Sequence, residues 1–146
     1  MELHDIKHIG VLGAGLMGHG IAQVFASAGY AVNIFDVDTA ALGTVKDRIA
    51  SNFKVFIELG LATPAEVAAC LDRITLCPTI GGLCKGPQYI IEAILEDLSI
   101  KKETYAELER FTPPDTLLSS NTSAISITEI SEGLNTKGRF LGTHFW

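Results

Sequence analysis

An apolar run from Ile6 to Leu12 feeds straight into Gly13-Ala14-Gly15-Leu16-Met17-Gly18, and a helical pattern starts with no gap after it. No other stretch restricts the fold as strongly. Gly-x-Gly-x-x-Gly alone is a weak pattern, because glycine is common and could make an ordinary turn here. Its surroundings favour a dinucleotide site: a strand before it, a helix after it and an acid downstream. In that reading Gly13 makes the tight turn, Gly15 lets a pyrophosphate approach the backbone, and Gly18 lets helix and strand pack closely. The free N–H groups and the dipole of the helix N-terminus then favour the phosphate charge.

The acid is Asp36, at the end of a second apolar run, Ala31–Asp36, and 18 residues past Gly18. At about 20 residues' separation an acid meets the adenosine ribose hydroxyls. A 2′-phosphate would be repelled there, Asp38 adds negative charge, and no Arg follows closely. The pattern therefore specifies NAD rather than NADP. The chain carries 11 basic and 17 acidic residues, a net charge of −6, with no basic stripe that would suit a nucleic acid. No apolar stretch nears the ~18 residues of a membrane span. The polar start Met1-Glu-Leu-His-Asp does not resemble a secretory signal, so the expected location is cytoplasmic. Cys70, Cys77 and Cys84 stand seven apart, without a Cys-x-x-Cys pair and in different expected elements. They read as small buried thiols of a reducing compartment, not as metal ligands.

Along the chain, Met17, Ile21, Val24, Phe25 and Ala28 form one helical stripe, which Gly29 stops. Thr39 to Leu59 reads as one longer amphipathic helix ended by Gly60. Thr63-Pro64-Ala65-Glu66 has the N-cap, first-turn proline and capping-box glutamate of a new helix reaching about Leu71. Arg73–Cys77 reads as a third strand, Pro78–Pro87 as a loop with a helical turn, and Tyr89–Ile94 as a fourth strand. Ser99 is the expected cap of a helix to Phe111, and Thr116–Ser120 is a fifth strand. Ser126 opens a short helix stopped by Gly133, and Arg139–Trp146 is a sixth strand. Its apolar residues Phe140, Leu141, Phe145 and Trp146 have no later strand to cover them, an edge that invites pairing. At 146 residues with 47% apolar and 19% charged residues, the sum is one α/β domain. The expected fold is a doubly wound, mostly parallel sheet of Rossmann type with a helical-hairpin insertion after the second strand.

Strand ends of such a sheet share one crevice, and four polar clusters fall at them: Asp36, Glu96, Asn121 to Ser123, and His144. Asn121 and Ser123 could equally satisfy a turn. His144, in an apolar run, could be a hydrogen-bonded core residue or an acid–base group. His4, His8 and His19 read as surface or structural. Glu92, within its strand, could be buried and paired.

Gly13-Ala-Gly-Leu-Met-Gly-His-Gly-Ile-Ala22, Asp36, Glu92-Ala-Ile-Leu-Glu96, Ser120-Asn-Thr-Ser123 and Gly142-Thr-His-Phe-Trp146 together resemble the N-terminal domain of the L-3-hydroxyacyl-CoA dehydrogenase family. The resemblance implies NAD held by Gly13, Ala14, Gly15, Leu16, Met17, Gly18 and Asp36, with Glu96, Lys101 and Ser123 also at the cofactor site. It implies His144 as the general base, Ser123 at the substrate's 3-oxygen and Asn121 beside it. It further implies an acyl-CoA substrate, contacted in part by the hairpin, where Lys46, Arg48, Asn52 and Lys54 are the available polar groups. The family's glutamate partner of the histidine and its helical C-terminal domain, which forms the homodimer, would lie past Trp146. The expectation is thus a fragment that binds NAD with little turnover. Alternatives are a free-standing NAD-binding or redox-sensing module, or the same domain of a carnitine or sugar-acid dehydrogenase.

Titration with NAD+ and NADP+, followed through the single Trp146, is expected to give clearly tighter binding of NAD+. Equal affinities would remove the role assigned to Asp36.

Overall fold

The computed structural model, which describes residues 2–146, turns the apolar runs into six strands and the periodic stretches into helices. In order these are β1 (His8–Leu12), α1 (Leu16–Ser27), β2 (Ala31–Phe35), α2 (Thr39–Gly43), α3 (Val45–Glu58), α4 (Pro64–Asp72) and β3 (Ile74–Leu76). There follow α5 (Ile80–Leu83), β4 (Tyr89–Glu92), α6 (Leu98–Phe111), β5 (Leu117–Ser120), α7 (Ile127–Ile130) and β6 (Phe140–Gly142). Leu3–Asp5 and Lys137–Arg139 are 3-10 turns. The strands make one sheet in the order β3-β2-β1-β4-β5-β6, and every pair is parallel. The direction of winding reverses between β1 and β4, which places a crevice at their carboxyl ends.

Strand alternation divides the core. Ile9, Val11, Val32, Ile34 and Ile91 face one layer, completed by Ile21, Ala22, Val45, Ile49 and Cys70 from α1, α3 and α4. Leu12, Ile90 and Leu118 face the other, with Leu83, Tyr105, Leu108 and Ile130 from α5, α6 and α7. Asn33 points into the second layer as a buried polar residue. Its amide donates to the carbonyls of Gly82, Leu83 and Lys85 at 3.2–3.4 Å, and its Oδ1 lies 3.0 Å from His8 Nε2. It thereby satisfies the open C-terminal end of α5. All three cysteines are free and buried, and burial, with Glu107 and Cys77 adding, pushes the Cys84 thiol up to about 11. Among the described residues no helix is long and apolar enough to cross a membrane.

Several boundaries differ from the sequence reading. The Thr39–Leu59 helix is two, because Thr44 turns its hydroxyl and its N–H onto Ala41 O and interrupts the ladder after Gly43. The hairpin is therefore α2 and α3 against α4. The capping box at Thr63 forms as expected. Asp97, not Ser99, caps α6, its carboxylate accepting from Ile100 N at 2.9 Å. The sheet is wholly parallel, and β6 stops at Gly142, so His144 lies beyond the strand rather than in it. That last strand does form an edge of the sheet, with Leu141 37% exposed, although the neighbouring rings are packed. The Phe140 ring packs edge-on to Tyr105 at 4.5 Å and Phe145 against Phe25 at 6.2 Å, leaving Trp146 98% exposed.

The glycine turn is fixed by close backbone approach. Gly13 has φ +105°, and a Cβ there would meet Ala93 O at 2.4 Å. A Cβ on Gly18 would stand 1.9 Å from Gly13 O, an approach that no side-chain rotation can relieve. Gly18→Ala is therefore expected to lower unfolding stability by about 3 kcal/mol, as overpacking against backbone does. Urea unfolding followed by circular dichroism measures it, and a loss below about 0.5 kcal/mol would contradict the packing described.

Candidate functional site

Six carboxyl ends lie on one edge of the sheet because every strand runs the same way. β1 delivers the glycine loop to the N-terminus of α1, with Gly15 as its N-cap in extended conformation and no side-chain cap. The donors of the first helical turn lack intrahelical partners and face this crevice. An added Cβ at Gly15 meets nothing within 4 Å, and the φ of −68° would suit any residue. Folding does not require this glycine. A ligand pressed against the backbone would.

β2 ends at the second feature of the cofactor side. Half-buried Asp36 accepts from Ala14 N through Oδ2 at 2.6 Å and from Asp38 N through Oδ1 at 2.9 Å. Each carboxylate oxygen keeps lone-pair capacity for one more donor, such as a ribose hydroxyl. Asp38 is engaged as the N-cap of α2. Open space at Gly15, unpaired first-turn donors and an acceptor at Asp36 together fit an adenine dinucleotide.

On the other side of β1 the arrangement rests on a buried carboxylate. Glu92, at the end of β4, is 0% exposed. Its Oε1 accepts from Lys101 Nζ at 2.6 Å and Ile94 N at 2.8 Å, and its Oε2 from Ser120 Oγ at 2.6 Å. The Tyr105 hydroxyl donates to Ser119 O at 2.8 Å, with Oε2 a longer acceptor at 3.4 Å. Burial, then the Glu92 charge, push that phenol well above its ordinary value, so it stays a donor. Lys101 is 1% exposed and has its second carboxylate, Glu96 Oε2, at 3.3 Å.

Glu96 turns its other oxygen onto the loop after β5, accepting from Thr122 Oγ1 at 2.5 Å, Ser123 N at 2.9 Å and Ala124 N at 3.2 Å. Burial raises its pKa, but the hydrogen bonds from Thr122, Ser123, Lys101 and Ala124 outweigh it and leave the carboxyl below its ordinary value. A depressed carboxyl stabilises the fold above its unfolded-state pKa and stops doing so as pH falls through the folded one. The clamp therefore holds at neutral pH and releases in acid.

The loop so held presents Ser123, whose Oγ lies 2.9 Å from His144 Nε2. His144 is exposed, not a core residue. Two contacts fix the segment that carries it. Phe145 N donates to Asn121 Oδ1 at 2.6 Å, and Thr143 Oγ1 lies within 3.2 Å of Tyr89 and Ser119 hydroxyls, which are 2.8 Å apart. Asn121 is thus engaged in placing the histidine. Among the described residues no carboxylate lies within 4.0 Å of His144, whose ring instead neighbours Trp146 at 5.8 Å. Beside them an apolar groove of about 690 Å³ opens between α1 and α3, lined by Met17, Ile21, Val24, Val55, Phe145 and Trp146 among others.

The sequence-derived candidates thus separate into two sets on one edge. Gly13 to Gly18 and Asp36 form one, and Asn121, Ser123, His144 and Glu96 form the other. Lys101 belongs beneath the surface, with its ammonium engaged by Glu92 and Glu96. Of the hairpin's polar groups, Arg48 turns onto the glycine loop and Asn52 onto Gln23, leaving Lys46 and Lys54. Glu92 is buried and paired, as its place within a strand allowed, but its partners and the turn of Arg48 onto the glycine loop had no local signal.

The sequence model of the family described as "3-hydroxyacyl-CoA dehydrogenase, NAD binding domain" matches residues 8–146. A probable 3-hydroxybutyryl-CoA dehydrogenase of Bacillus subtilis is 39% identical over 97% of this chain and 49% of its own length. The 3-hydroxybutyryl-CoA dehydrogenase of Mycobacterium tuberculosis is 37% identical, with 97% and 49% covered. The crystal structure of (S)-3-hydroxybutyryl-CoA dehydrogenase from Ralstonia eutropha superposes with a TM-score of 0.92 at 33% identity, over 97% of this chain and 50% of that one. The chain spans about half the length of these relatives.

Removing one member of the buried pair leaves the other charge unpaired, so Glu92→Gln is expected to cost about 3–5 kcal/mol. Removing both, in Glu92→Gln with Lys101→Met, should cost less than the sum by at least about 1 kcal/mol. Denaturant unfolding of the four-protein cycle measures the difference, and strict additivity would contradict the pairing.

Proposed function

The chain belongs to the 3-hydroxyacyl-CoA dehydrogenase family, as its NAD-binding domain, and we propose that the protein serves oxidation of an L-3-hydroxyacyl-CoA to the 3-oxoacyl-CoA. The observation that carries this reading is Ser123 Oγ set 2.9 Å from His144 Nε2, on the same sheet edge as the glycine loop and Asp36. NAD+, when bound, supplies the acceptor for the hydride leaving C3 of the substrate. In this reading Asp36 accepts from the adenosine ribose, and the backbone of residues 13–18 holds the diphosphate. Glu96 lies close to the nicotinamide side and keeps Ser123 in place.

His144 Nε2 takes the proton of the 3-hydroxyl as the carbonyl forms, and returns it in the reverse direction. The Ser123 hydroxyl, a donor and an acceptor, orients the same oxygen toward the imidazole. The apolar groove beside Trp146 supports an acyl thioester over carnitine or a sugar acid, because its lining offers few partners for a strongly hydrated ligand. Lys46 and Lys54 are the side chains available for the coenzyme A phosphates. Three buried free thiols favour the cytoplasm, and the working form in this reading is a homodimer. An imidazolium with no carboxylate beside it is poorly stabilised, so we expect the 146-residue chain to bind NAD+ with little turnover.

Calorimetry with NAD+, followed by Trp146 fluorescence with acetoacetyl-CoA or carnitine, tests the assignment. The expected result is NAD+ binding and a signal from the acyl-CoA alone. A response to carnitine would redirect the substrate class, and oxidation of 3-hydroxybutyryl-CoA at an ordinary enzymatic rate would contradict the low turnover. Gly15→Ala is expected to keep the melting temperature while lowering NAD+ affinity at least about tenfold, or 1.4 kcal/mol. Unchanged affinity would argue against a diphosphate over this loop.

A further inference from the structure

We infer that Arg48 is a positioning residue for the cofactor loop: reaching from the hairpin, its guanidinium fixes the peptide planes whose N–H groups receive the diphosphate. The inference rests on the NAD-binding reading above. Arg48 Nη2 donates to Ala14 O and, at 3.1 Å, to Ala41 O. Its Nη1 lies 3.4 Å from Gly15 O and 3.1 Å from His19 Nδ1. The buried His19 ring has Nδ1 2.8 Å from Gly15 O, and His19 N donates to the same oxygen at 3.2 Å. One ring nitrogen cannot both donate to Gly15 O and accept from Arg48. A proton on Nδ1 satisfies the shorter contact and leaves Nη1 directed at Gly15 O.

The consequence follows from peptide planarity. Ala14 O shares a trans plane with Gly15 N–H, and Gly15 O shares one with Leu16 N–H. Holding these two carbonyls on the hairpin side aims the two N–H groups to the opposite side, toward the crevice. A charged donor on each carbonyl also polarises the amide and strengthens its N–H as a donor. Ala14 N–H is already engaged by Asp36, so both polar groups of Ala14 are held by side chains of opposite charge. Gly15 and Leu16 are then the loop residues whose donors meet an anion first. The guanidinium fork suits this task, because it spans carbonyls from α2 and the loop at once, as a single ammonium cannot.

The test compares wild type, Arg48→Ala and Arg48→Lys by calorimetry with NAD+ and ADP, which carry a diphosphate, and by competition with adenosine, which does not. Loss of a charge-assisted hydrogen bond predicts about tenfold weaker NAD+ and ADP binding in Arg48→Ala, with adenosine unchanged. Millimolar methylguanidinium should restore NAD+ affinity to Arg48→Ala and leave wild type unaffected, while Arg48→Lys recovers only part. NAD+ affinity equal to wild type, or equal losses for all three ligands, would overturn the inference. Should Arg48→Ala fail to fold, His19→Ala removes one support of Gly15 O and is expected to show a smaller loss with the same selectivity for diphosphate. A loss without that selectivity would overturn the inference too. Wild type that bound no NAD+ would instead sink the cofactor reading itself.

Discussion

A carboxylate with no access to water governs the substrate side of this molecule. Glu92 sits at the end of the strand next to the sheet's switch point, where an isolated charge would be prohibitively costly. Its cost is offset only because four groups from three segments meet around it: Lys101 and Tyr105 from α6, Ser120 from β5 and Ile94 from its own loop. Each partner is held by the requirement to satisfy Glu92. The core and the site are therefore not separate designs. Lys101 carries the restraint outward to Glu96, Glu96 to the Thr122–Ala124 backbone, and Ser123 to His144.

The glycine loop is built on the same principle with the roles exchanged. There the backbone is the group to be held, and charged side chains from distant segments hold it. Asp36 takes the Ala14 N–H and Arg48 the Ala14 carbonyl, across separations of 22 and 34 residues. Gly18 makes this possible by letting α1 begin against Gly13 O, where any side chain would intrude. An all-parallel sheet brings the two assemblies to one edge.

Features written in local chemistry were legible in the sequence. The glycine spacing, the acid after β2, the Thr63 capping box and the alternating strands all express constraints within a few residues, and the structure realises them. The wrong cap on α6 shows where that stops. Asp97 and Ser99 are both good N-caps, and the choice falls to Leu98, which packs into the second core as the first helical residue. The break at Thr44 is local, but a threonine inside an amphipathic pattern does not announce that it will turn back onto Ala41 O. In the site, Ser123 and His144 were marked by position at strand ends. Glu92 was open to burial and pairing as an acid inside a strand, but its partners were not legible, and Arg48 read only as one of several polar groups on the hairpin. Their partners lie in other elements.

One crevice runs from Asp36 across the glycine loop to Ser123 and His144. A crystal structure of the chain with NAD+ tests it most directly. The expected result is ribose hydroxyls on Asp36, the diphosphate over the N–H groups of Gly15 and Leu16, and the nicotinamide ring against Ser123 and His144. A diphosphate bound away from the loop, or a nicotinamide directed away from His144, would contradict it.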